Sequence, residues 1–206
     1  MALLDIQKSQ KLLEKHGIKF AKSRTAKTEK ELIKEIKKFK FPVAMKIISS
    51  KISHKTEAGG IKLNISNEAE ALKAFNELKK LKGFQGTLIQ EMLKGMEIII
   101  GGKQDPQFGA TILFGLGGIY VETLKDISLR ICPITKTDAK EMIQEIKSYP
   151  LIKGTRGQKG INQKIIEKYL MQVSKLMMKE KIQELDINPL IGNEKEIKAI
   201  DARIIK

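Results

Sequence analysis

The chain has a single cysteine among 206 residues, no tryptophan, and only 5% aromatic residues. One cysteine excludes an internal disulfide framework, and Cys132 has no CxxC or Cys/His neighbour from which to build a zinc site. It reads as a small buried hydrophobe. Long apolar runs are missing too. The three isoleucines of EIIIG are far short of the ~20 residues a membrane span needs. The opening MALLDIQKSQ carries neither the apolar centre nor the cleavage site of a signal peptide, so the chain is expected in the cytoplasm, with no membrane partner.

Acidic residues are in deficit, 24 against 39 lysines and arginines, for a formal charge of +15. Such a balance suits nucleic acid, an acidic membrane surface or a polyanionic cofactor. Its form argues against nucleic acid. The lysines are spread along the chain and mixed with glutamates, arginine occurs only at positions 24, 130, 156 and 203, and no aromatics are interleaved for base stacking. A solvated lysine surface is the plain account, and a phosphate-bearing ligand or an acidic partner subunit is the alternative.

What the chain does have is a sizeable apolar fraction, 41%, enough at this length to bury roughly 70% of the surface exposed on unfolding. LLDIQKSQKLLEKHG spaces Leu3, Ile6, Leu12 and Leu13 as an amphipathic helix closed by Gly17. Thr28 with Glu31 forms a capping signature for a second helix that stops before Pro42, and Asn67 with Glu70 caps a third. Strands are expected over 42–48, 60–65, 86–93, 96–102, 110–114, 119–123 and 128–134. Helices are expected over 138–149 and 163–179, and two closing strands over 183–191 and 197–204. Strands outnumber helices and come in adjacent pairs, so the expected class is α+β with mainly antiparallel sheets, in one domain of two lobes, about 1–90 and 91–206. The G-x-G-G at Gly115 is too common to identify anything by itself.

Three groups of residues point to chemistry. In ELDINP, Asp186 and Asn188 are two apart on a strand and share a face. If the stretch after Ile191 turns about its centre near 194 and 195, Asn188 lies opposite Asp201, and the three present oxygens of the kind Mg²⁺ favours. Polar residues on the outer face of a hairpin are the plain alternative. Lys46 interrupts the apolar strand of FPVAMKII, either as a lysine reaching out from an edge strand or as a fixed cation aimed at a phosphate. The loop after it carries His54, Lys55, Thr56, Gly59 and Gly60, the donors and close-approaching backbone of a phosphate cradle. Glu91, Met92 and Glu97 offer main-chain groups to a base and a carboxylate to sugar hydroxyls, a pattern that composition leaves unspecific.

Ordered stretches from end to end, FPVAMKIISSKISHKTEAGGIKL, GTLIQEMLKGMEIIIGG, DPQFGATILFGLGGIYVETLKDISLRICPI, GTRGQKG, ELDINPLIG and AIDAR, resemble the β subunit of ADP-forming acyl-CoA synthetases. These are ATP-grasp domains related to the nucleotide-binding part of the succinyl-CoA synthetase β subunit. The resemblance implies an ATP-grasp fold in which Lys46 and the loop through Lys55, Thr56, Gly59 and Gly60 hold ATP or ADP phosphates. It implies that Glu91 and Met92 form the adenine hinge, that Glu97 meets the ribose, and that Asn188 and Asp201 bind Mg²⁺. Asp186 falls at the carboxylate facing the phosphohistidine, and His54 at the histidine that is phosphorylated. It further implies an α subunit with CoA-binding and ligase domains, two copies of each chain, and acid–thiol ligase chemistry in which CoA and the acyl substrate are reached through the partner. Asn162 stands where an aspartate is usual, and Ala110 where a proline is common. Two rivals to a phosphohistidine relay stand beside it: direct formation of an acyl phosphate without His54, and a basic nucleic-acid-binding protein.

Overall fold

Prolines, glycines and capping side chains cut this chain into short elements, and the pairing of those elements produces two compact units. A computed structural model describes residues 2–49, 51, 58–118, 126–155, 157 and 159–206. The expected strand over 119–123, and His54, Lys55, Thr56 and Arg156, lie outside the described residues.

One unit spans Ala21–Leu93. Its sheet runs in the order β1 (Ser23–Ala26), β4 (Phe84–Glu91), β2 (Val43–Ser49), β3 (Ile61–Ile65), and every pairing is antiparallel. Helices α2 (Glu29–Ile36) and α3 (Glu68–Lys79) begin at the expected caps: Thr28 accepts from the Glu31 N–H and Asn67 from the Glu70 N–H. Strand alternation sends Val43, Met45 and Ile47 into a core with Leu32, Ile36, Phe75, Leu78 and Ile89. Phe75 and Phe84 meet edge to face at 5.7 Å. Strand β1 was not expected, because SRTA carries no apolar alternation. Its backbone pairing with β4, from Ser23 opposite Gln90 to Ala26 opposite Thr87, makes it a strand.

The other unit combines Met1–Phe20 with Lys94–Lys206. Placing the first twenty residues in the first lobe is therefore corrected. They add to the C-terminal strands: the Leu4 N–H donates to the Ile204 carbonyl at 2.9 Å and the Ala199 N–H to that of Lys19 at 2.8 Å. The sheet order is β10 (Ala202–Ile205), β8 (Glu184–Gly192), β5 (Met96–Asp105), β6 (Gly109–Leu116), β7 (Ile127–Ile131), with β9 (Ile197–Ala199) also on β8. The core side is filled by α1 (Ile6–Lys15), α4 (Lys136–Glu145) and α6 (Gln163–Lys179), the last contributing Ile166, Tyr169, Leu170, Val173, Leu176 and Met177. Gly102 lets α6 lie this close, since a Cβ there would come within 2.8 Å of the Met177 sulfur. A short helix, α5 (Tyr149–Lys153), was not expected. Among the described residues no helix is long and apolar enough to cross a membrane.

The closing strand expected over 197–204 is broken at Ile200 and Asp201. Opposite the break stands Pro189, which has no N–H to give, so that rung consists of the Ile200 N–H donating to the Pro189 carbonyl at 2.9 Å. Asn162 holds α6 in two ways: its side-chain oxygen accepts from the Ile165 N–H, and its amide donates to the Glu194 carbonyl at 3.2 Å. An ionised aspartate could cap the helix but could not make the second bond.

Asp126 fastens the start of β7 to the turn between α4 and α5. Its buried carboxylate accepts from the Lys147 and Ser148 N–H groups, each at 2.7 Å, and from the Ser148 hydroxyl. Burial alone would raise its pKa, but these bonds together outweigh burial and lower it. A lowered carboxylate contributes stability that is complete above its unfolded value, about 3.9, and is lost as pH falls through the folded value. Asp126→Asn is therefore expected to cost about 2 kcal/mol near neutral pH. The urea midpoints of variant and wild type should converge as pH drops from about 5 toward 2. A gap that persists in acid would mean that shape, not charge, holds the turn.

Candidate functional site

In each unit one sheet face is packed by helices, and strand alternation turns Lys46 in one and Asp186 and Asn188 in the other away from that face. Within Ala21–Leu93, Val43, Met45 and Ile47 point to the core, so alternation turns Ala44, Lys46 and Ile48 the opposite way. Lys46 is only 9% exposed and lies on a central strand, opposite Leu88 of β4 and Ile61 of β3. The edge-strand account of this lysine is thereby corrected, and a cation in this setting acts through a less polar medium than water. The loop beyond β2 closes through Gly59 in the left-handed region at φ 67°, and the Gly60 carbonyl accepts from the Ile47 N–H at 2.8 Å.

At the far end of β4, Glu91 Oε1 accepts from the Lys22 N–H at 2.8 Å, while the Glu91 N–H donates to the Lys22 carbonyl at 3.0 Å. The Met92 sulfur accepts from the N–H of Asn64 at 3.1 Å, and Asn64 holds a positive φ of 57° where β3 bulges against β2. The side chains of Glu91 and Met92 thus bind neighbouring backbone.

Within Met1–Phe20 and Lys94–Lys206, the exposed Glu97 lies opposite Ile191 at the start of β5. On β8 the buried Leu185 and Ile187 face the core, and Asp186 and Asn188 face away. The hairpin register is as expected. Leu190 pairs with Ala199, Ile187 with Ala202, and the Asn188 N–H donates to the Asp201 carbonyl at 3.2 Å. Asp186 has its pKa raised by burial first, then by the charges of Asp201 and Glu184. Its cross-strand partner Arg203 and a hydrogen bond from the Asn188 side chain act in the other direction. Asp201 keeps its Oδ1 on the Ala202 N–H at 2.9 Å.

Two carboxylates that repel one another beside an amide oxygen fit a hard divalent cation such as Mg²⁺, whose charge would relieve that repulsion. Among the described residues no group of three or more His, Cys, Asp or Glu could hold a metal. An ion held by Asn188 and Asp201 would have to take its remaining ligands from phosphate and water. A soft-metal site would need thiolates or imidazoles.

The G-L-G-G turn packs against the start of β5. Residues 115–118 close β6 beside Glu97: the Gly117 N–H donates to the Glu97 carbonyl at 2.8 Å, and a Cβ on Gly115 would press on the Asp126 carbonyl at 2.9 Å. A signal existed. The DPQFG turn sets the register of β5 on β6, with Asp105 opposite Gly109 and Ile98 opposite Leu116, and one step further puts Gly117 opposite Glu97.

The sequence profile of the ATP-grasp domain matches residues 1–205. The chain is 42% identical over 175 residues to the β subunit of acetate–CoA ligase (ADP-forming) I of Pyrococcus furiosus, covering 81% of this chain and 75% of that one. It is 44% identical over 161 residues to acetate–CoA ligase (ADP-forming) II of Archaeoglobus fulgidus, covering 78% of this chain but 24% of that longer one. Among solved structures, acetyl-coenzyme A synthetase 1 of Ca. Korarchaeum cryptofilum with coenzyme A and Ca-AMPCP superposes with a TM-score of 0.92 at 37% identity, over 98% of this chain and 93% of that one. A second structure of that protein, with Mg-AMPPCP and its phosphohistidine segment pointing towards the nucleotide binding site, gives 0.88 at 35% identity, over 98% and 92%.

Proposed function

This chain belongs to the ATP-grasp domain family, with the β subunits of ADP-forming acetate–CoA ligases as relatives, and we propose that it performs the nucleotide half-reaction of an ADP-forming acyl-CoA ligase. Acyl-CoA, ADP and phosphate interconvert with acid, CoA and ATP, and this subunit moves a phosphoryl group between nucleotide and His54. The observation that carries the reading is the Asp186, Asn188 and Asp201 group on the face of β8 turned away from the core.

Phosphoryl transfer needs alignment and charge stabilisation more than covalent help. Lys46, with Lys55, Thr56, Gly59 and Gly60 of the following loop, holds the phosphates. Glu91 and Met92 meet the adenine through their main chain, and Glu97 meets the ribose. Asn188 and Asp201 hold Mg²⁺, which when bound neutralises charge on the phosphate oxygens. A lone pair on a neutral His54 nitrogen displaces ADP, the P–O bond breaking as the P–N bond forms. We assign to Asp186 the part of the carboxylate that assists the histidine in this transfer, as the resemblance implies.

A partner subunit is supported by relatives in which α and β are separate chains. We place the CoA-binding and ligase chemistry in that α subunit, with two copies of each chain, in the cytoplasm where ATP and CoA are available. The test is to give the isolated chain labelled ATP and Mg²⁺. It should gain an acid-labile, base-stable phosphate, and acyl-CoA synthesis should appear only when a CoA-binding partner is added. An unlabelled protein, or full ligase activity from this chain alone, would sink the reading.

A further inference from the structure

We infer that Gly118 is a positioning residue for Glu97, and that the bare Cα at this place in the G-L-G-G turn sets how well the protein recognises the sugar of its nucleotide. The inference rests on the reading that Glu97 meets the ribose.

Gly117 and Gly118 crowd the glutamate from two levels. A Cβ on Gly117 would lie 3.0 Å from the Glu97 Cβ and 3.2 Å from its carbonyl carbon, so the first glycine lets the ends of β5 and β6 come together. A Cβ on Gly118 would lie 2.9 Å from Oε2 of Glu97, closer than real Cβ contacts come. Among the described residues beyond its chain neighbours it would meet only the carboxylate oxygen and, at 3.8 Å, its carbon. The carboxylate thus occupies the space that a side chain at 118 would fill, beside a turn held by the bond from the Gly117 N–H to the Glu97 carbonyl. Both residues are exposed, so an added methyl displaces the carboxylate and leaves the packed core alone. Gly118 also holds φ at +64°, a conformation that disfavours alanine but that asparagine accepts. The two substitutions therefore separate space from backbone.

The experiment compares binding of Mg-ATP with that of Mg-2′,3′-dideoxyATP to the full chain by calorimetry. The ratio of the two affinities is insensitive to any misfolded fraction, which lowers both alike. Wild type should prefer ATP by about tenfold or more, the value of a hydrogen bond to a charged group. Gly118→Ala and Gly118→Asn should both bring the ratio near one, as should Glu97→Ala, while binding of the dideoxy nucleotide stays at its wild-type level. If Glu97→Ala keeps the wild-type ratio, the ribose reading itself is wrong. A collapse in Glu97→Ala with both Gly118 variants at the wild-type ratio overturns the positioning role alone. Collapse in the alanine variant but not in the asparagine variant also overturns it, by assigning the effect to backbone conformation.

Discussion

His54→Ala is expected to abolish phosphorylation of the chain by ATP and to lower acyl-CoA synthesis with the partner subunit by on the order of 10³-fold or more. A neutral imidazole nitrogen is a competent nucleophile near pH 7, and the N–P bond it forms keeps a high transfer potential. That is what the proposed division of labour requires, with an acyl phosphate formed on one subunit and ADP held on the other. The loop is tethered at both stems by described residues. Ser49 accepts from the Lys51 N–H at 3.1 Å and donates to the Lys82 carbonyl at 3.0 Å, and Gly60 is held to Ile47. The stems remain in the variant, so nucleotide binding should survive within a few-fold, which calorimetry can check. His16→Ala should change nothing, because that residue closes α1, its N–H bonded to the carbonyls of Leu12 and Leu13. Label persisting in His54→Ala, or undiminished acyl-CoA synthesis, would favour direct formation of an acyl phosphate.

The second large effect belongs to the two residues proposed to bind Mg²⁺. Asp201→Asn and Asn188→Ala should each raise the Mg²⁺ concentration needed for half-maximal nucleotide binding by roughly 10- to 100-fold. Neither should disturb the fold. Asparagine at 201 can still accept from the Ala202 N–H, and the bond between Asn188 and the Asp201 carbonyl is made by backbone atoms that both variants keep. The readout is nucleotide affinity titrated against Mg²⁺, with the thermal midpoint as control. Unchanged Mg²⁺ dependence in both variants would remove the site, whereas a drop in the midpoint of many degrees would show that these residues mainly hold the hairpin.

Much of this site was legible without coordinates because hairpin register follows from simple counting. A turn centred near 194 and 195 puts Asn188 across from Asp201, and the structure pairs every neighbouring rung on that register. The same counting across the DPQFG turn places Gly117 beside Glu97, yet the G-L-G-G motif carried no meaning until the space around each glycine was seen. Strand β1 left no trace in composition, since SRTA becomes a strand only through pairing with residues more than sixty positions away. The discontinuous second unit was hidden for a similar reason: bonds from Leu4 and Lys19 reach Ile204 and Ala199 at the opposite end of the chain.

Residues close in sequence, by themselves, determined the helix caps at Thr28 and Asn67, the face shared by Asp186 and Asn188, and the register of the last hairpin. These depend on interactions across a few bonds or one tight turn, so local residue types suffice to select them. Strand order came only with tertiary structure, and with it the central position of Lys46, the union of the first twenty residues with the last hundred, and the choice of which sheet face the helices cover. Those outcomes depend on which distant strands and helices meet. Such pairings are chosen by the total apolar surface they bury, a property of the whole chain that no single stretch of it carries.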